Sequence, residues 1–269
     1  MRLVSYDGGA GPRAGILRED RVHAIDGAPR TLDELLAQGA LAEVREAEPL
    51  DGVTLLPPVG RPGKTICIGL NYRSHCEEQG LEPPETPTFF AKFPTSLAGP
   101  GATVALPAAS RRVDYEAEVA FVIGTRGKDV PEGRALEHVA GYMLLNDLSA
   151  RDLQFKTPQW MPGKTFDGAG PCGPALVTAD EAGPHDAIEI ELRLNGDLMQ
   201  QGSTFDLVHS VPALVAFLSS LMTLEPGDVI ATGTPSGVGS LREPKVWLKA
   251  GDEVVISSPQ LGVLETRLA

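Results

Sequence analysis

The sequence predicts an α+β fold, mainly β, on three observations. Short apolar or alternating runs recur along the chain, as at 115–123, 141–145 and 188–194, and a period of two marks strands. Asn195-Gly196 joins two such runs, a strong signal for a type I′ hairpin. The C-terminal third is a series of short strands between the turns Pro226-Gly227-Asp228 and Ala250-Gly251-Asp252.

Residues 1–58 read as a small αβ module and 59–269 as the main domain. Strands are expected around Leu3–Tyr6, Ala14–Leu17 and Val22–Ile25. Thr31 with Glu34 forms a capping box that opens a helix expected to run to about Arg45. His23 stands alone and reads as a packing or surface residue. The stretch 56–63 is too rich in Pro and Gly for a helix or a central strand, so it is the expected linker. A strand at 65–69 and a helix over His75 and Glu78 follow, then a Pro-rich loop at 81–88. Further on, 211–222 has the apolar spacing of an amphipathic helix capped by Ser210.

Composition narrows the function. A 42% hydrophobic content supports a full core, yet no apolar run reaches membrane-spanning length. A net charge of −13 disfavours nucleic acid and anionic membranes as partners. Cys67, Cys76 and Cys172 form no CxxC pair, and their odd number argues against a disulfide framework. With no signal-peptide pattern at 1–30, a reduced cytoplasmic setting is expected.

The chemistry concentrates in Asp114-Tyr115-Glu116-Ala117-Glu118. On a strand, Glu116 and Glu118 point to one face, while Tyr115, Ala117, Val119 and Phe121 point to the other. An E-x-E pair more often lines the wet face of an edge strand. Here the next strand also ends in an acid, Asp147, with polar residues behind it. Three carboxylates with no Cys or His nearby make a hard-oxygen site suited to Mg²⁺, Mn²⁺ or Ca²⁺. An H-x-x-E pair such as His75 and Glu78 is commonly a surface pair; on a helix the two share a face, and the carboxylate orients the imidazole as a base. Arg151 and Gln154 sit three apart on an expected helix from Ser149, offering a guanidinium and an amide to one ligand. Gly233 to Gly239 is expected to bring backbone N–H groups and Thr234 towards a substrate carboxylate.

Rival motifs fail. Gly-Lys-Thr at 63–65 and at 163–165 lacks the glycine a phosphate loop needs, since Pro58 and Pro158 stand there. No G-x-S-x-G elbow is present.

In order and spacing, five segments resemble the fumarylacetoacetate hydrolase family. They are Gly69–Glu78, Asp114–Glu118, Asn146–Gln154, Gly163–Asp167 and Thr232–Gly239. The resemblance implies a β-sandwich-like roll after residue 60, a homodimer, and a mobile lid over the site. It also implies a divalent metal, Mg²⁺ or Mn²⁺, on Glu116, Glu118 and Asp147. The substrate would be a small anionic 2-oxo acid, contacted by Tyr72, Arg151, Gln154 and Thr234. The expected reaction is hydrolysis of a C–C bond in an acylpyruvate-like 2,4-dioxo acid. His75 with Glu78 would activate the water, and Lys164 with the metal would stabilise the enolate. Decarboxylation of an oxaloacetate-type acid, or isomerisation, would use the same enolate. A non-catalytic oxo-acid or metal binding protein is the alternative from another class.

Overall fold

The computed structural model describes residues 1–27 and 30–269. Two sheets dominate. In the larger one, strands run in the order Glu46–Leu50, Arg21–Ile25, Pro12–Arg18, Arg2–Asp7, Gly170–Thr178, Val139–Asn146, Ala117–Ile123, Val229–Ala231, Thr65–Gly69 and Thr88–Lys92. The smaller has five strands, including the hairpins Glu189–Leu194/Asp197–Ser203 and Glu253–Ser258/Gly262–Leu268.

The core lies between them. Val119, Phe121, Leu144 and Val177 from the large sheet share one apolar cluster with Leu192, Val254, Ile256 and Leu264 from the small one. The helix Val211–Leu221 adds Leu214, Val215 and Leu218 to it, and Ser210 caps that helix by accepting from the Ala213 N–H. A second cluster covers the other face of the large sheet. There Ala120, Val122, Met143 and Leu145 meet Leu32, Leu35 and Leu36 of the short helix Leu32–Ala37. The acidic strand is therefore buried on both sides. This is the mainly β architecture read from the sequence.

Three local expectations need correction. The helix opened by Thr31 has its capping box, but it stops at Ala37, not near Arg45. Gly39 follows at φ +65°, a turn that glycine adopts without strain, and a 3₁₀ turn at Leu41–Glu43 leads into the next strand. The strand expected over 115–123 begins two residues late, at Ala117, and Val113–Asp114 forms a separate short strand before it. Val113–Asp114 pairs instead with Ser149–Ala150, which replaces the expected start of the next helix and leaves only the single turn Arg151–Gln154. By contrast the Asn195-Gly196 hairpin forms as read, with both residues at positive φ.

Residues 1–58 are joined to the rest by strand pairing. Arg2–Asp7 runs antiparallel to Gly170–Thr178, with Leu3 opposite Leu176. The segment 57–64 carries no helix or strand, although Val59 is buried in the second cluster.

Candidate active site

Register brings the acids together. Ala117 begins its strand opposite Asn146, the last residue of the neighbouring strand. On the other side Ala120 pairs with Ala231, and Ala231 pairs with Cys67. The beginning of one strand and the ends of three others therefore meet at one edge of the sheet. Glu116, Glu118, Asp147, the 232–240 loop and the segment after Gly69 all leave from that edge.

Oxygens of Glu116, Glu118 and Asp147 lie within 4.8 Å of one another. All three residues are buried. Lys164 stands between two of them, its Nζ donating to Glu116 Oε2 at 2.7 Å and to Asp147 Oδ2 at 2.8 Å. Burial works against charging Glu116, but Lys164 and Arg151 outweigh it and hold the carboxyl down at about 2. Glu118 has no such cation. Burial, Asp147 and Glu116 push its carboxyl well above the usual range, opposed only in part by Lys164 and the Gly233 N–H. Burial disfavours the Lys164 ammonium, but Asp147 and Glu116 reverse this and strengthen its hold on the proton.

These residues fit a divalent cation. The donors are all hard oxygens, and the Glu118 charge is unbalanced. Asp147 Oδ1 is buried with no hydrogen bond, although Lys92 Nζ approaches it at 2.7 Å as an ion pair.

Around the acids lies a cavity of about 550 Å³, lined by His75, Arg151, Gln154, Lys164 and Thr234 along with the three carboxylates. Both tryptophans of the chain, Trp160 and Trp247, form part of its wall. His75 Nδ1 lies 2.9 Å from Glu78 Oε2, and Glu78 Oε1 accepts from the Gly237 N–H at 2.8 Å. Glu78 thus stands behind the imidazole and is itself held in place.

Several residues sit differently from their expected tasks. Tyr72 is fully buried in the main core and does not line the cavity. Arg151 reaches Asp114 Oδ2 at 2.9 Å and Glu116 Oε1 at 2.7 Å, so its guanidinium braces the acids. Its Nη1 donates to Gln154 Oε1, which leaves the Gln154 amide N–H groups facing outward from that bond. The Thr234 hydroxyl donates to the Ala117 carbonyl and accepts from Gln200 Nε2. Four N–H groups of the 232–240 loop serve carboxylates of the chain itself. Gly233 donates to Glu118, Gly237 to Glu78, and Gly239 and Ser240 to Asp114. Buried carboxylates need those donors, and the loop is the nearest backbone to supply them.

Sequence reasoning passed over two residues. Asp114 accepts from Gly239, Ser240 and Arg151 and so ties the loop to the site. Lys92 is buried and also donates to the carbonyls of Lys164 and Ala169. Its signal was available: two residues after buried Phe90 on a strand, Lys92 has to point inward too.

Comparison with known proteins agrees with this geometry. The family profile described as fumarylacetoacetate (FAA) hydrolase C-terminal matches residues 64–269, and the one described as Rv2993c-like, N-terminal matches 1–58. The oxaloacetate tautomerase FAHD2B, mitochondrial, of Bos taurus is 43% identical over 284 residues, covering 98% of this chain and 90% of that protein. Two solved structures each cover 100% of this chain and 99% of theirs. A fumarylacetoacetate hydrolase from Exiguobacterium antarcticum superposes with a TM-score of 0.87 at 35% identity. A 5-carboxymethyl-2-hydroxymuconate delta-isomerase from Mycobacterium smegmatis gives 0.83 at 34%.

Proposed function

Because this chain belongs to the fumarylacetoacetate hydrolase family of enzymes, we propose that it interconverts the enol and keto forms of a small 2-oxo acid of the oxaloacetate type. The observation that carries this reading is the Lys164 ammonium held between Glu116 and Asp147 at the wall of the cavity. Tautomerisation moves one proton between C3 and the keto oxygen. Lys164, held by its two carboxylates at the cavity wall, is placed to give its ammonium proton to the substrate and to recover one from it. Gln154 offers its amide N–H to the substrate carboxylate, while Arg151 keeps Glu116 fixed. A divalent cation on Glu116, Glu118 and Asp147, Mg²⁺ or Mn²⁺, would supply Lewis-acid stabilisation of the developing enolate charge. The tautomerase name of the relative that is 43% identical supports the same class of substrate.

Hydrolysis of a C–C bond in an acylpyruvate is the second reading. It is favoured by the His75–Glu78 pair, whose geometry suits a water-activating base. Three buried, unpaired cysteines fit a reducing setting such as the cytoplasm, and a homodimer is the proposed assembly.

Turnover of oxaloacetate and of an acylpyruvate, each with Mg²⁺, Mn²⁺ or a chelator, tests these readings. Accelerated enol–keto conversion that the chelator abolishes is expected. A rate equal to the uncatalysed one under every condition would overturn the proposal.

A further inference from the structure

The hydrolytic base is capped by a residue of its own helix. Gln79 closes the helix Arg73–Gln79, four residues after His75, and its Nε2 lies 2.9 Å from His75 Nε2. On the other side of the ring, Nδ1 faces the Glu78 carboxylate at 2.9 Å. A carboxylate only accepts, so Nδ1 carries the proton and Nε2 presents a lone pair. The Gln79 amide fills that lone pair with an N–H, which fixes which way round the amide sits. Gly80, at φ +67°, ends the helix there, and the Leu81 N–H returns to the Cys76 carbonyl at 2.9 Å. The Gln79 backbone is therefore held on the face of the helix that carries His75, and both side chains line the cavity.

A water awaiting activation has to stand at hydrogen-bond distance from Nε2, roughly 2.6–3.2 Å. The Gln79 amide nitrogen occupies that position. We propose that Gln79 is a positioning residue that keeps water off His75 and so biases the site towards proton transfer and away from C–C hydrolysis. This rests on the reading of the cavity as a 2-oxo acid site. In hydrolysis the water oxygen bonds to the C4 carbonyl carbon while Nε2 takes the water's proton. The C3–C4 bond then breaks, its electron pair stays on C3 as an enolate, and the imidazolium returns the proton there. Tautomerisation incorporates no water oxygen and needs no free Nε2.

The test compares wild type with Gln79→Ala, which opens room for water, and Gln79→Leu, which fills the space without an N–H. Gln79 is exposed on its outer side, so neither change removes core packing. Three quantities are read: acylpyruvate hydrolysis, enol–keto conversion of oxaloacetate, and the imidazole ¹⁵N resonances of His75. Gln79→Ala should raise the ratio of hydrolysis to tautomerisation about tenfold or more, within the range of a general base gained. Gln79→Leu should not raise it. The Nε2 resonance should move in both variants as the donor is lost. An unmoved ratio in Gln79→Ala, an equal gain in Gln79→Leu, or an unmoved Nε2 resonance would overturn the proposal. A wild type that fails to tautomerise oxaloacetate would defeat the functional reading instead. The proposal would then stand only if Gln79→Ala hydrolyses acylpyruvate faster than wild type, and it falls if there is no gain.

Discussion

Glu118 is the residue on which charge in the site is least balanced. Its folded-state carboxyl titrates well above the ordinary 4.5 because of burial, Asp147 and Glu116. Between those two values the folded state binds a proton that the unfolded state does not. Stability of the metal-free protein should therefore fall as pH rises through that window. Glu118→Gln should remove this slope, measured by denaturant unfolding at pH 5 and pH 8. Cation binding has to release the same proton, so affinity should rise with pH, and calorimetry in two buffers should register proton release. Glu116→Ala, Glu118→Ala and Asp147→Ala should each abolish Mg²⁺ or Mn²⁺ binding; unchanged affinity in all three would refute the metal site. In the Gln79→Ala background, where water can reach Nε2, loss of either His75 or Glu78 should lower acylpyruvate hydrolysis by roughly 10²–10⁴-fold. The double variant should lose little more than either single one, because the two residues act as a unit. Full hydrolysis by His75→Ala in that background would make the pair structural. At this scale the acids were legible because a period of two is rigid. Gln79 follows a rule of the same kind, four residues after His75 on one helix face, and the sequence reading passed over it.

Among the elements, those closed by local chemistry were legible and those closed by distant partners were not. Thr31 with Glu34, Ser210 and Asn195-Gly196 each fix a boundary through neighbours in sequence, and each acts as expected. The break between Val113–Asp114 and Ala117–Ile123 depends on Ser149–Ala150, some 36 residues away, and no local pattern announces it. Gly69 illustrates a tertiary demand of the same kind. A Cβ there would land inside the Trp160 ring, so the strand end is glycine because an indole lies across it. Gly69→Ala should push Trp160 into the cavity and cost about 1–3 kcal/mol in stability. Both tryptophans line the cavity, so fluorescence should report the displacement and a weakened response to a 2-oxo acid. Unchanged emission and unchanged binding would show that the wall tolerates the methyl group.

Across the whole molecule, the order of strands in the large sheet is the least legible feature. Arg2–Asp7 pairs with Gly170–Thr178 over a separation that composition does not signal. The consequence is mechanical. Leu32, Leu35 and Leu36 of the first 58 residues cover Ala120 and Val122, which continue the face of the acidic strand that carries Glu116 and Glu118, together with Met143 and Leu145 of the neighbouring strand. A chain starting at residue 59 should therefore bare that face, bind a hydrophobic dye and lose cation binding. A truncated chain with normal unfolding and normal metal affinity would show that the segment is dispensable. Light scattering at micromolar concentration should give the mass of a dimer of the 28.4 kDa chain, and a monomer would contradict the proposed assembly.

The central claim is that this site makes and quenches an enolate of a 2-oxo acid with Lys164 as proton carrier. It is tested most directly by NMR detection of deuterium entering C3 of oxaloacetate in D₂O, with Mg²⁺ present, for wild type and Lys164→Met. Wild type should accelerate exchange well above the enzyme-free rate, and Lys164→Met should return it close to that rate while remaining folded. Exchange by wild type no faster than in buffer, or undiminished exchange by Lys164→Met, would contradict the account.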